Sequence, residues 1–144
     1  GNRVVVPGEA VDLQALARVA LLCNDAAVTQ TAEGWGLSGD PTEGALVTLA
    51  LKAGLEHAAE RAAYPRLDAI PFESENLFMA TLHPDGEQRV ICLKGAPERL
   101  LALCSVQATW QDGHLGYQPV DHDYWRRAIN DCAARALRVL ALVP

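Results

Sequence analysis

Two short stretches carry residues that could do chemistry: a lysine beside a glycine, and a carboxylate at a helix start. Leu93-Lys94-Gly95-Ala96-Pro97-Glu98 comes after the apolar, β-prone run Arg89-Val90-Ile91-Cys92-Leu93 and leads into Arg99-Leu100-Leu101-Ala102-Leu103. The apolar run reads as a buried strand. The residues after Ala96 read as a helix, with Pro97 at its first position and Glu98 in its first turn. Lys94 and Gly95 are therefore expected at a strand-to-helix corner, where glycine lets the backbone approach a ligand and lysine supplies a cation. That pairing suits a nucleotide. It is not a Walker A loop, because the GxxxxGK[ST] spacing is absent. A tight turn with a solvated lysine is the plain alternative.

The second stretch is Asp40-Pro41-Thr42-Glu43, which has the residues of a helix start. Asp40 can cap, Pro41 suits the first turn, and Glu43 stands at the third position of a capping box. Read alone, Glu43 does no more than reach back to the Asp40 amide.

Around these stretches the chain supplies strands and helices in alternation. Arg3-Val4-Val5-Val6 reads as a strand stopped by Pro7-Gly8, and a chain opening in mid-strand is expected to be a piece of something larger. Residues 12–23 read as a helix with Leu13, Leu16, Ala17, Ala20 and Cys23 on one face, closed by Asn24 in a left-handed conformation. Gly34-Trp35-Gly36-Leu37-Ser38-Gly39 reads as a glycine-rich connection. The helix from Asp40 is expected to run past Gly54 to about residue 63. Residues 67–72 read as a strand at a sheet edge because of Pro71, and residues 73–76 as a turn. Residues 77–83 and 88–94 read as two strands of a hairpin around Pro84-Asp85-Gly86-Glu87. Trp110 with Asp112-Gly113-His114-Leu115 marks another small hairpin. Residues 124–136 read as a helix turning Trp125, Ile129 and Cys132 or Ala133 inward, and residues 138–143 as a buried strand. The sum is α+β, a largely antiparallel sheet flanked by helices, in one domain covering residues 1–144.

Composition narrows the function. The 144 residues carry a net charge of -6, and the pI of about 5.1 argues against a nucleic-acid surface, which needs a basic face. No apolar run is long enough for a membrane span. Cys23, Cys92, Cys104 and Cys132 lack metal-ligand spacing and read as reduced residues of a cytosolic chain. His57, His83, His114 and His122 form no cluster, so no metal site is expected. An independent small nucleotidase would need a nucleophile, base or metal cluster, and none is visible.

Taken in order, Cys23-Asn24-Asp25, Asp40-Pro41-Thr42-Glu43-Gly44-Ala45-Leu46, Pro71-Phe72-Glu73-Ser74-Glu75 with Met79, Lys94-Gly95-Ala96-Pro97-Glu98 and Leu137-Arg138-Val139-Leu140-Ala141 form a series. It resembles the nucleotide-binding domain of P-type cation-transporting ATPases, closest to the calcium-pump-like (P2-type) branch in its bacterial form. The resemblance implies that Phe72 stacks on adenine and that Glu43 accepts from its amino group. It implies that Lys94 lies at the far side of the pocket, with Gly95 and Ala96 leaving room for the base. Met79 would form an apolar wall, and Arg138 would reach the phosphates. The plain alternatives are core burial for Phe72 and a solvated helix-end arginine for Arg138.

The same resemblance implies ATP as ligand, with Mg2+ held mainly by the phosphates and by a separate phosphorylation domain. Its partners are the phosphorylation and actuator domains of one pump, on the cytoplasmic side of a multi-pass membrane protein, and the domain alone is expected to be monomeric. The whole protein would be an ATP-driven cation translocase. The phosphorylated aspartate of a DKTG sequence is absent from this chain, so the domain is expected to bind ATP without hydrolysing it and to contain no catalytic residue. Two positions depart from the family: Leu77 stands where many relatives carry lysine, and Ser74 where arginine is common. They thin the charge near the phosphates. They also leave open a degenerate domain that serves as a protein-interaction module.

Overall fold

The computed structural model describes residues 11–111 and 114–144. Its elements are, in order, α1 (Val11–Leu22), β1 (Ala27–Thr31), β2 (Gly34–Ser38), α2 (Pro41–Lys52), α3 (His57–Ala63), β3 (Asp68–Ile70), β4 (Phe78–Asp85), β5 (Gln88–Gly95), α4 (Pro97–Leu101), β6 (Val106–Gln111), β7 (His114–Pro119), α5 (His122–Ala134) and β8 (Ala141–Val143). All strand pairs are antiparallel: a four-stranded sheet β3-β4-β5-β8 and two separate ribbons, β1-β2 and β6-β7. The architecture is α+β. The strand expected at residues 3–6 and the tip of the Trp110 hairpin at residues 112–113 lie outside the described residues.

The sheet is organised by the β4–β5 hairpin, whose register runs from Asp85↔Gln88 at the turn to Phe78↔Gly95 at the far end. Gly86, at φ +61°, supplies the left-handed residue that a two-residue turn demands. α1 lies between this sheet and α2 and is buried on two sides. Val19, Leu22 and Cys23 pack with Met79 and Cys92 of the sheet, while Ala17 and Leu21 pack with Val47 and Ala50 of α2. A helix held on two sides needs a wider apolar surface than one stripe.

Several expectations are corrected. Leu16 is on the open side of α1 and is exposed, while Val19, Leu21 and Leu22 fill the core. Asn24 has no positive φ; it closes α1 with its side chain, donating through Nδ2 to the Ala20 carbonyl at 3.0 Å. Within the glycine-rich stretch, residues 34–38 are strand β2, paired residue for residue with β1. The helix from Asp40 does not continue to residue 63: Gly54 at φ +85° breaks it into α2 and α3. No residue of α5 is buried; Ile129 and Cys132 are only half-covered and Trp125 is exposed. The last strand is three residues long and half-buried. All four cysteines are free, Cys23 and Cys92 in the core and the other two half-buried.

Candidate functional site

Asp40 starts α2 as the sequence suggests, its Oδ1 accepting from the Thr42 and Glu43 amides at 2.8 and 3.2 Å. Donation from the Glu43 amide holds its carboxyl below the usual carboxylate range, and the Arg138 charge acts in the same direction. The cap thus sets the first turn of α2 and faces Arg138.

Glu43 does not close a capping box. Its side chain reaches away from Asp40 to Lys94, whose Nζ donates to Glu43 Oε1 at 2.5 Å. The other oxygen, Oε2, accepts from the Asp25 amide at 3.3 Å. A carboxylate has about four lone-pair sites, so both oxygens keep capacity for a ligand. Lys94 is 6% exposed, and a buried ammonium is tolerable only with such a partner. Cys23 lies in the core cluster with Met79, whose carbonyl accepts from its Sγ at 3.5 Å. Burial pushes the Cys23 thiol up against the opposing pull of Lys94, and burial pushes Cys92 up to about 11. Glu43 and Lys94 together form the charged floor of the site.

Above that floor is a cavity of about 610 Å3, within the range of small-molecule sites. The start of α2 contributes Asp40, Thr42, Glu43 and Leu46, and the β5–α4 corner contributes Lys94, Gly95, Ala96 and Pro97. Phe72 and Leu77 close one side, and residues 138–140 the other. Phe72 lies between β3 and β4, outside any strand, and is 57% exposed, so it is not an ordinary core residue. Leu77 holds φ +60°, a conformation uncommon outside glycine.

Six residues singled out in the sequence, Glu43, Phe72, Lys94, Gly95, Ala96 and Arg138, meet at this one cavity. Met79 does not. It faces Lys94 across the β4–β5 pair, but its side chain is 2% exposed and packs into the core below. Gly95 has a role that the sequence hid: a Cβ there would run into the Leu77 carbonyl and lie 2.6 Å from Phe78 Cβ. Its smallness serves the close approach of β4, whose entry is further pinned by the Ala96 amide donating to the Leu77 carbonyl at 2.9 Å.

Sequence reasoning also missed Asn24 as a support. It is fully buried, its Nδ2 donates to the Glu43 carbonyl at 3.0 Å, and its Oδ1 accepts from the Ala26 amide at 2.8 Å. An asparagine just after a helix has a ready reading as a backbone cap, which concealed this role. Among the described residues no group of three or more His, Cys, Asp or Glu is placed to hold a metal ion, and no helix is long and apolar enough to cross a membrane.

Comparison with known proteins shows the family. Residues 12–143 match the family model described as P-type ATPase, cytoplasmic domain N. The cation-transporting ATPase pma1 of Synechocystis sp. is 39% identical over 140 residues, covering 97% of this chain and 15% of that protein. The "Probable cation-transporting ATPase F" of Mycobacterium tuberculosis is 44% identical over 118 residues, covering 82% of this chain and 13% of that protein. Calcium-transporting ATPase 1 of Lactococcus lactis is 31% identical over 142 residues, or 98% of this chain and 16% of that protein. The chain thus spans about a sixth or less of the length of these relatives. A domain with this sheet, this cavity and these matches belongs to the family of P-type ATPase cytoplasmic N domains.

Proposed function

We propose that the domain binds ATP in the cavity between α2, the β5–α4 corner and residues 138–140. In this reading Phe72 stacks on the adenine ring and Glu43 accepts from its amino group. Lys94 holds Glu43 and closes the far side of the slot, Gly95 and Ala96 leave room for the base, and Arg138 receives the phosphates. Met79 acts from below as packing. The observation that carries the reading is the juxtaposition of an exposed ring, Phe72, with a buried Glu43–Lys94 pair across one cavity. An aromatic face offers stacking to any base. As the anionic half of an ion pair, Glu43 offers acceptors only, which favours an amino group over a carbonyl.

Within the whole pump, the domain presents the γ-phosphate to an aspartate of a separate phosphorylation domain, so its share of catalysis is positioning. Mg2+ is held by the phosphates and by that domain. The whole protein is an ATP-driven cation translocase with this domain on its cytoplasmic side, and the domain alone binds nucleotide without turning it over. The two cations lining the cavity are Lys94 and Arg138, and Lys94 is engaged with Glu43. Triphosphate affinity is therefore modest, with a Kd on the order of 1 mM or somewhat tighter.

The test is an NMR titration of the isotope-labelled chain with ATP, ADP, AMP and GTP. Amide shifts at Glu43, Phe72, Lys94 and Gly95, shared by the adenine nucleotides and absent with GTP, bear the reading out. A second reading, a protein-interaction module that has lost its ligand, draws on Leu77, an exposed apolar side chain on the cavity wall. Absence of shifts with every nucleotide selects it.

A further inference from the structure

The carboxylate of Glu43 is aimed by a turn that two arginines hold from behind. The turn is residues 22–26, immediately after α1. It touches Glu43 twice, through the Asp25 amide on Oε2 at 3.3 Å and through Asn24 Nδ2 on the Glu43 carbonyl at 3.0 Å. From the opposite side, Arg61 Nη2 donates to the Asn24 carbonyl at 2.9 Å. Arg66 Nη2 donates to the same carbonyl at 2.8 Å and to the Leu22 carbonyl at 3.1 Å, while its Nη1 donates to Asp25 Oδ1 at 2.6 Å.

Two guanidiniums on one carbonyl repel each other, so the arrangement needs compensation. The carbonyls at the end of α1 and the Asp25 carboxylate supply it. A glycine would close a helix more simply. What a glycine would not do is fix the direction of the Asp25 amide. Arg66 binds both the carbonyl before that amide and the side chain after it, so rotation of the intervening peptide breaks one of the two contacts. The planar guanidinium is suited to such a multiple grip, and a lysine is not.

We propose that Arg66, assisted by Arg61, is a positioning residue for base discrimination. It locks the residue 24–25 peptide, whose N–H orients the Glu43 carboxylate toward the amino group of the base. The inference rests on the reading of Glu43 as the adenine acceptor. Arg66 is outside the cavity lining, so it acts on the site through the residue 24–25 turn.

The experiment compares ATP with purine riboside triphosphate, which has the same ring and phosphates without the 6-amino group, by NMR titration of wild-type chain and Arg66→Ala. Wild type is expected to prefer ATP by about tenfold, the worth of one hydrogen bond to a charged acceptor. In R66A the ratio falls toward one, while affinity for purine riboside triphosphate changes less than about twofold. A loosened fold would weaken both ligands together. An unchanged ratio in R66A overturns the proposal and leaves the Glu43 reading standing. A wild-type ratio of one removes the Glu43 reading, and this proposal with it. If R66A loses amide dispersion, Arg66→Lys, which keeps the charge without the fork, is read by the same ratio: a drop supports the grip, and wild-type discrimination overturns it.

Discussion

Lys94 Nζ and Glu43 Oε1 meet at 2.5 Å although 51 residues separate them, and their side chains are 7% and 20% exposed. This pair ties the first turn of α2 to the end of β5 at the base of the cavity. Removing one partner leaves a desolvated charge behind. Lys94→Met is expected to lower stability by about 3–5 kcal/mol, and adding Glu43→Gln should recover a large part of that loss. Urea denaturation of the two single variants and the double variant measures the coupling. Equal and additive losses would show that the ion pair contributes nothing beyond its separate side chains.

Phe72 separates binding from stability. At 57% exposure, its truncation to alanine should shift the unfolding free energy by no more than about 0.5 kcal/mol. Adenine-nucleotide binding should fall by the worth of one stacked base, about 1–3 kcal/mol. The same titration and a urea curve on F72A test both halves.

Gly95 in the cavity wall and Gly44, buried on α2, should respond differently to alanine. At Gly95 the obstacle is backbone, the Leu77 carbonyl and Phe78 Cα at 2.7 Å, so Gly95→Ala should cost about 1–3 kcal/mol and disturb β4 where it enters the sheet. At Gly44 the obstacle is the free end of the exposed Leu37 side chain, which can swing away. Relief of about 1 kcal/mol of helix propensity then offsets the contact, and G44A should be near neutral. Thermal melts of both variants test the contrast.

Stability should fall as the solution is acidified through the imidazole range. His83 is buried, with Nδ1 2.8 Å from the Tyr64 carbonyl and Nε2 2.9 Å from Thr81 Oγ1. The carbonyl can only accept, so Nδ1 donates and the neutral Nε2 accepts from the hydroxyl. Burial lowers its pKa from the ordinary 6.5, and burial does the same to His57. The unfolded chain therefore takes up protons first. The contribution of these groups is fully present above about pH 6.5, and it declines below that until the folded pKa values are reached. Urea midpoints between pH 8 and pH 5 should show the decline, and His83→Gln should reduce its slope.

The parts of the fold that depend on neighbours in sequence were legible from sequence. The Asp40 cap, the Gly86 turn and the strand-to-helix corner at Lys94 each announce themselves through a residue that is special for its own backbone position. Strand β2 did not, because its glycines have the composition of a loop and all its residues are exposed, leaving no alternation to read. Leu16 fits a single apolar stripe, but α1 is buried on two other sides and leaves it exposed. Gly54 follows an unbroken helical pattern and so does not announce a stop, yet it takes a positive φ and ends α2.

The candidate site is legible in the sequence as a set of residues and not as an arrangement. Six of the seven meet at one cavity, while Met79, on the same face of the sheet as its cross-strand partner Lys94, is covered by Val19, Leu22 and Cys23. The Glu43–Lys94 pair, the Asn24 clamp and the reason for Gly95 all depend on contacts between distant segments. No local pattern encodes those.

The β6–β7 ribbon and the four-stranded sheet should differ in how readily their amides exchange with solvent. β6 and β7 pair only with each other among the described strands, and a lone two-stranded ribbon is marginal in water. Gln107 links this ribbon to α5 by accepting from Trp125 Nε1 and the Asp121 amide, and no residue of α5 is buried. Ribbon and helix can therefore open as a unit while β4 and β5 stay closed. Deuterium should enter β6, β7 and α5 through this local opening, and β4 and β5 only when the whole domain unfolds. The residues lining the 610 Å3 cavity all lie outside that opening unit, so the candidate site can stay formed while that flank of the chain breathes.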